Sequence, residues 1–160
     1  MTRFLDWPVR LNEYILEAEK KEFKLGTHDC CTFAAGAIEA MTGEDPMPEF
    51  RGLYNDWQSA EDVLDEVGYD NLYKTLTKKF GKAIIGQKGQ KGDLAFYEGS
   101  CGIVLGRYAL FLGEKGSAYV SLQKLQRAFR IPYYDPNVVV LPSQTLTLTP
   151  NVVGTENLKR

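Results

Sequence analysis

The chain carries 160 residues, of which 44% are apolar, 25% charged and 12% aromatic, with a formal net charge of −2. That length gives one domain with a full hydrophobic core and leaves too little for two. The near balance of charge, with no lysine- or arginine-rich block, excludes nucleic acid as a partner class. No apolar run approaches the ~20 residues a membrane helix needs, so no membrane span is expected.

The N-terminus, MTRFLDWPVRLNEY, reaches charges and a proline within its first ten positions, which is not the pattern of a secretory signal. A soluble protein made in the cytoplasm is expected. Its three cysteines, Cys30, Cys31 and Cys101, are an odd number for a disulfide framework, so free thiols are the working assumption. Adjacent cysteines do not readily bond each other, which leaves at most one of the pair to reach Cys101.

Leu11, Tyr14, Ile15 and Ala18 recur at helical spacing behind Pro8, a residue suited to a first turn, and predict an amphipathic helix over 8–22. A second helix is expected over 30–42, where Cys30, Phe33, Ala34, Ala37, Ile38 and Met41 form one apolar stripe. Asp29 is placed to cap it and Gly43 to stop it. Its alanines allow close approach to a neighbour, which makes it the expected central helix. GEDPMPEFRG (43–52) reads as a proline-rich loop, and segments 57–68 and 70–81 read as short helices ended by glycine. QKGQKG (87–92) is a polar turn. It lacks the Gly-Lys-Ser/Thr ending of a phosphate loop. The period then changes to two: DLAFYEG, GIVLG, YALFLG and SAYVSL predict short strands in an antiparallel meander, with GEKG (113–116) as a hairpin turn. Helices followed by strands give an α+β order.

Trp7 and Trp57 are expected to cover edges of the core. Beyond Ile131 the texture changes to prolines mixed with β-forming runs. Domain boundaries of 1–131 and 132–160 follow, the latter an extended arm pairing with a neighbouring chain in preference to a disordered tail. Tyr133 and Tyr134 serve there either as interface anchors or as a cover for the domain.

The chemistry concentrates in LGTHDCCTF (25–33). Cys30 stands at the first turn of a helix, where unpaired N–H groups and the helix dipole favour a thiolate. The bland alternative is a small core residue on an apolar stripe. His28 is the chain's only histidine. As a lone loop histidine it is either a hydrogen-bonding residue or a base for Cys30. A metal set of His28, Cys30 and Cys101 offers three N/S ligands but matches no standard zinc spacing. No cofactor and no metal is expected.

FKLGTHDCCTFAAGAI, followed by KGDLAFYEGSCGIVLG, resembles the NlpC-type cell-wall cysteine peptidases of the papain-like group, in order and spacing over residues 20–125. In that family an aromatic-x-x-Gly turn precedes Asp-Cys-Ser-Gly-Phe at the start of a buried helix. A Gly-Asp strand start and a His-Val-Gly-Ile-x-Leu-Gly strand come later. More narrowly, FLDWPVRLNEYI, HDC, TG-x-DP, RG-x-Y and RAFRI are similar to small phage tail-module proteins. The resemblance implies a papain-like, NlpC-type α+β fold with Cys30 on the nucleophile, Asp29 capping, and Gly92–Asp93 at the strand start. It puts Ser100 where the family has its catalytic histidine.

A serine cannot take the thiol proton and return it to a leaving amine as imidazole does. The expected function is therefore a structural or adaptor part of a phage tail tip or baseplate hub, built on a degenerate peptidase fold and located in the virion. Tail hub proteins are its expected partners. The alternative is an active peptidoglycan endopeptidase with Cys30 as nucleophile and His28 as substitute base. Its third, orienting residue would fall near Ser121 or Gln123.

Overall fold

The structure, a computed structural model, describes residues 1–133. The segment proposed as an arm, Tyr134 included, therefore lies almost wholly outside the described residues. Four α-helices come first: α1 (Trp7–Ala18), α2 (Cys30–Thr42), α3 (Trp57–Glu66) and α4 (Leu72–Phe80). Six strands follow: β1 (Ile84–Ile85), β2 (Leu94–Tyr97), β3 (Ser100–Val104), β4 (Tyr108–Gly113), β5 (Gly116–Ser121) and β6 (Arg127–Phe129). They make one antiparallel sheet in the order β1-β6-β2-β3-β4-β5. The fold is α+β, with N-terminal helices packed on that sheet.

The expected meander is present from β2 to β5, but the sheet is not a simple meander. The chain returns after β5 to lay β6 on the open edge of β2, and β1 pairs outside β6. The turn between β4 and β5 is the expected one, with Gly113 opposite Gly116.

α1 ends at Ala18, four positions short of the predicted 22. Ala18 is the last apolar residue of the stripe that docks α1, and the Glu19–Lys20–Lys21 run beyond it has nothing to bury. α2 matches its predicted bounds and is the central helix. Gly43 stops it in the left-handed region, at φ 79°. Phe33, Ile38 and Met41 of α2 and Leu11 of α1 meet Leu94, Ile103 and Phe129 of the sheet in the main core. Each such large side chain stabilises the fold by about 1.5–3 kcal/mol through burial. The opposite sheet face buries a smaller cluster around Val104, Phe111 and Leu125.

The α1–α2 crossing depends on Gly36. A Cβ there would lie 2.2 Å from the Tyr14 hydroxyl oxygen. The space lets Tyr14 lie against α2, stack on Phe33 at 5.8 Å between ring centroids, and donate to the Phe33 carbonyl at 2.9 Å. Trp7 packs on the core as expected, whereas Trp57 is largely exposed and tilts against Phe23.

A buried ion pair ties the N-terminal segment to the sheet. Arg3 Nη2 donates to Asp93 Oδ1 at 2.9 Å, and Arg3 Nη1 to the Lys91 carbonyl at 2.9 Å. Asp93 also accepts from the backbone N–H of Gln90 (2.9 Å) and of Ile131 (3.3 Å). Gly92 makes room: a Cβ there would stand 2.6 Å from Arg3 Nη1. The other side of the guanidinium faces the rings of Trp7 and Tyr133, at 4.4 and 5.2 Å. Tyr133, named from sequence as an interaction residue, thus rests on its own domain and pairs with Arg3 across a β-bridge.

Candidate functional site

The site begins in the turn that delivers α2. The Lys24 N–H donates to the His28 carbonyl at 2.9 Å and the His28 N–H to the Lys24 carbonyl at 2.7 Å, closing a tight loop. Gly26 sits at φ 85°, and a Cβ on it would lie 2.0 Å from the Tyr54 carbonyl oxygen, so only glycine fits. Asp29 then caps α2 reciprocally. Its Oδ1 accepts from the Thr32 N–H (2.9 Å), while its own N–H donates to Thr32 Oγ1 (2.7 Å). Asp29 Oδ2 accepts from the Gly26 N–H at 2.8 Å and from the Tyr54 hydroxyl at 2.7 Å. Burial, reinforced by the Asp29 charge, pushes the Tyr54 phenol well up, so it remains a donor.

This cap sets two cysteines in the first turn of α2. Cys30 Sγ lies 3.8 Å from Cys31 Sγ, and Cys31 Sγ donates toward Cys101 Sγ at 3.9 Å. All three are free thiols, Cys101 buried and the other two half-buried. Of the adjacent pair, Cys31 is the one whose thiol hydrogen-bonds to the Cys101 thiol.

The alternation of β3 decides which residue meets α2. Cys101 and Ile103 belong to the core on the helix side, whereas Val104 packs on the opposite face. Gly102 shares that opposite face, since a Cβ on it would stand 2.9 Å from the Phe111 ring. Ser100 falls in register with Gly102 and Val104. The side chain that β3 presents to the paired cysteines is therefore a third thiol, from Cys101.

These surroundings keep the Cys30 and Cys31 thiols protonated. The hydrogen bond with Cys31 is the first cause raising Cys30, followed by burial, and a hydrogen bond from the Cys101 backbone only partly opposes them. Cys31 is likewise held well above the ordinary thiol range, first by its bond to Cys101. The favourable helix terminus is outweighed, and the thiolate expected at Cys30 is not stabilised.

His28 stands apart from this chemistry. It is 9% exposed, and its Nε2 donates to the Ala18 carbonyl at 2.9 Å, a second bond on an acceptor at the end of α1 that the Lys21 N–H also reaches at 3.1 Å. Among the described residues it makes no hydrogen bond to Cys30. The metal set of His28, Cys30 and Cys101 is replaced by one in which Asp29, Cys30 and Cys31 bring ligand atoms within 4.8 Å of one another. Ser121 and Gln123, suggested for an orienting role, lie beyond β4, where Ser121 Oγ accepts from the Gln123 N–H at 3.3 Å. Neither lines the cavity beside the thiols.

That cavity has a volume of about 310 Å³ and is lined mainly by apolar side chains of α2, α3, α4 and the 43–52 loop. Cys30, Cys31 and Cys101 form part of its wall, with Phe50, Tyr54 and Trp57 among the residues around them, and Ser100, the first residue of β3, also lines it.

Residues 2–131 match DUF6950, described as a domain of unknown function. The chain belongs to the DUF6950 family. No curated protein and no solved structure matches it. The DUF6950 match spans both the capped turn at Asp29 and the buried Arg3–Asp93 pair. Among the described residues no helix is long and apolar enough to cross a membrane.

Cys31 and Tyr54 are site residues that the sequence pattern does not single out. Tyr54 was within reach, because it ends the RG-x-Y stretch. Cys31 was hidden by its place beside a more conspicuous cysteine.

Proposed function

We propose that this protein is a structural component of a phage tail tip or baseplate hub, built on a degenerate NlpC-type, papain-like peptidase framework. The order and spacing of the sequence motifs support the framework and the tail assignment, by analogy. One observation carries the loss of activity: Cys30 has a thiol where a peptidase needs a base. Its neighbour is Cys31, β3 adds Cys101, and the only imidazole is hydrogen-bonded to Ala18. Without a proton acceptor the thiol step loses about 10²–10⁴ in rate. The β-forming runs beyond Ile131 supply the docking element, and tail hub proteins are its partners.

Two measurements test this. Purified full-length protein incubated with peptidoglycan is expected to release no more peptide fragments than buffer. Co-expressed with the hub proteins of its own tail module, it is expected to co-elute as a stable complex, unchanged by Cys30→Ala and lost on deletion of residues 134–160. Fragment release abolished by both Cys30→Ser and His28→Ala would instead establish an active endopeptidase and sink the structural reading.

A further inference from the structure

We propose that Cys30, Cys31 and Cys101 form a binding site for a single copper(I) ion, independently of any peptidase ancestry. Cys31 is the centre of the set: its sulfur lies 3.8 Å from that of Cys30 and 3.9 Å from that of Cys101. The group already within 4.8 Å of one another has Asp29 in place of Cys101, so one ion must draw Cys30 and Cys101 together around Cys31. Sulfurs bound at about 2.3 Å to one ion stand about 3.8 Å apart in a tetrahedral arrangement and about 4.0 Å in a trigonal one. Two of the three ligands are therefore already at bonding separation from the central one, Cys31.

Electrostatics favour a cation in this place. Asp29 is buried beside the cysteines, and its carboxylate accepts only from neutral donors, Gly26, Thr32 and Tyr54. Among the described residues, no lysine, arginine or histidine nitrogen hydrogen-bonds to the three sulfurs. All three line the cavity, which provides a route to the ligand atoms.

The donor set selects the metal. Three sulfurs suit a soft, closed-shell ion. A structural zinc site wants four ligands, and both Asp29 oxygens are engaged in holding the helix cap. Copper(I) is satisfied by two or three thiolates. Delivered from a thiol complex, it forms Cu–S bonds as the corresponding S–H protons leave to solvent, and no electron is transferred. Binding joins the start of α2 to β3.

The test is an anaerobic titration of reduced full-length protein with copper(I), buffered by a competing chelator. One equivalent is expected to be retained through gel filtration, with X-ray absorption showing a sulfur-only shell at about 2.3 Å. Loading is expected to protect the thiols from alkylation. Cys31→Ser should weaken retention more than tenfold, and Cys101→Ser should weaken it as well. His28→Ala should leave it unchanged, since that ring lies outside the set. Failure to retain copper overturns the site, and so does equal retention by wild type and Cys31→Ser with both shown folded by circular dichroism. Formation of a Cys31–Cys101 disulfide with no copper bound before oxidation overturns it too.

Discussion

Two aspartates lie almost fully buried, Asp29 at 2% exposure and Asp93 at 1%, and the molecule treats them in opposite ways. Asp93 faces the Arg3 guanidinium and two backbone N–H groups, so its charge is met by a charge. Asp29 meets only neutral donors: two backbone N–H groups and the Tyr54 hydroxyl. The same residue type thus clamps the N-terminal segment in one place and organises a helix terminus in the other. The three thiols collect beside the aspartate that no cation meets, and there hydrogen bonding within the set, together with burial, holds Cys30 and Cys31 above the ordinary thiol range. A region already neutralised, as at Arg3–Asp93, offers a cation nothing.

The largest effect is expected from breaking the charged side. Arg3→Met leaves the buried Asp93 carboxylate with only the half-exposed Arg130 guanidinium, 3.8 Å away, to meet its charge, a loss of about 3 kcal/mol. Urea unfolding measures it. Burial already holds the Asp93 carboxyl above its ordinary 3.8, against the opposing hydrogen bonds and the Arg3 charge. Removing Arg3 raises it further. A folded value above the unfolded one gives a contribution that is present at low pH and lost as pH rises through the folded value. The deficit of Arg3→Met relative to wild type should therefore be smaller at pH 4 than at pH 8. A deficit below about 0.5 kcal/mol at pH 8 would mean that the pair does not hold the segment.

Asp29→Ala comes next, at about 2–3 kcal/mol. It removes the helix cap and strands the Tyr54 hydroxyl and the Gly26 N–H together. Asp29→Asn keeps an acceptor for the Thr32 N–H and should cost less. If Asp29→Ala and Asp29→Asn unfold at the same urea concentration, the cap is not what this aspartate provides. Alkylation of Cys30 should also be faster in Asp29→Ala, because the first turn of α2 loses its anchor.

Gly36→Ala should cost about 1–2 kcal/mol, the net of overpacking against Tyr14 and a better helix former. Near-ultraviolet circular dichroism should report the displaced Tyr14 ring. An increase in stability would show that Tyr14 has somewhere else to go.

The helical half was legible because period, cap and stop agreed: Asp29, the apolar stripe and Gly43 all point to the same span for α2. The glycine-bounded strands β2 to β5 were legible for the same reason. β1 and β6, of two and three residues, are too short to show a period, and only pairing with each other and with β2 makes them strands. At the site, the place of Cys30 could be read and its company could not. Whether β3 turns Ser100 or Cys101 toward α2 is a matter of one residue in register, and a one-residue shift exchanges the faces. His28 reads as a base candidate by proximity in sequence, but its partner is a carbonyl ten positions back, within reach of the ring because α1 ends at Ala18.

The smallest effect probes the neutral side through α2 itself. The Tyr14 hydroxyl donates to the Phe33 carbonyl, and burial pushes its ionisation up to about 12 from an ordinary 10.0. The folded value lies above the unfolded one, so this contribution is complete below about pH 10 and lost as pH rises through about 12. Tyr14→Phe should cost about 1 kcal/mol at neutral pH, the worth of one hydrogen bond. It should also flatten the alkaline limb of the stability curve, while leaving the acid limb, where Tyr14 does not titrate, as in wild type. Urea midpoints from pH 7 to pH 11 measure this directly, and an alkaline limb identical in the two proteins would assign that loss to another group. The two sides of the molecule then separate by pH: the helix packing weakens in base through a neutral donor, and the clamp at Asp93 responds to acid more strongly once Arg3 is gone.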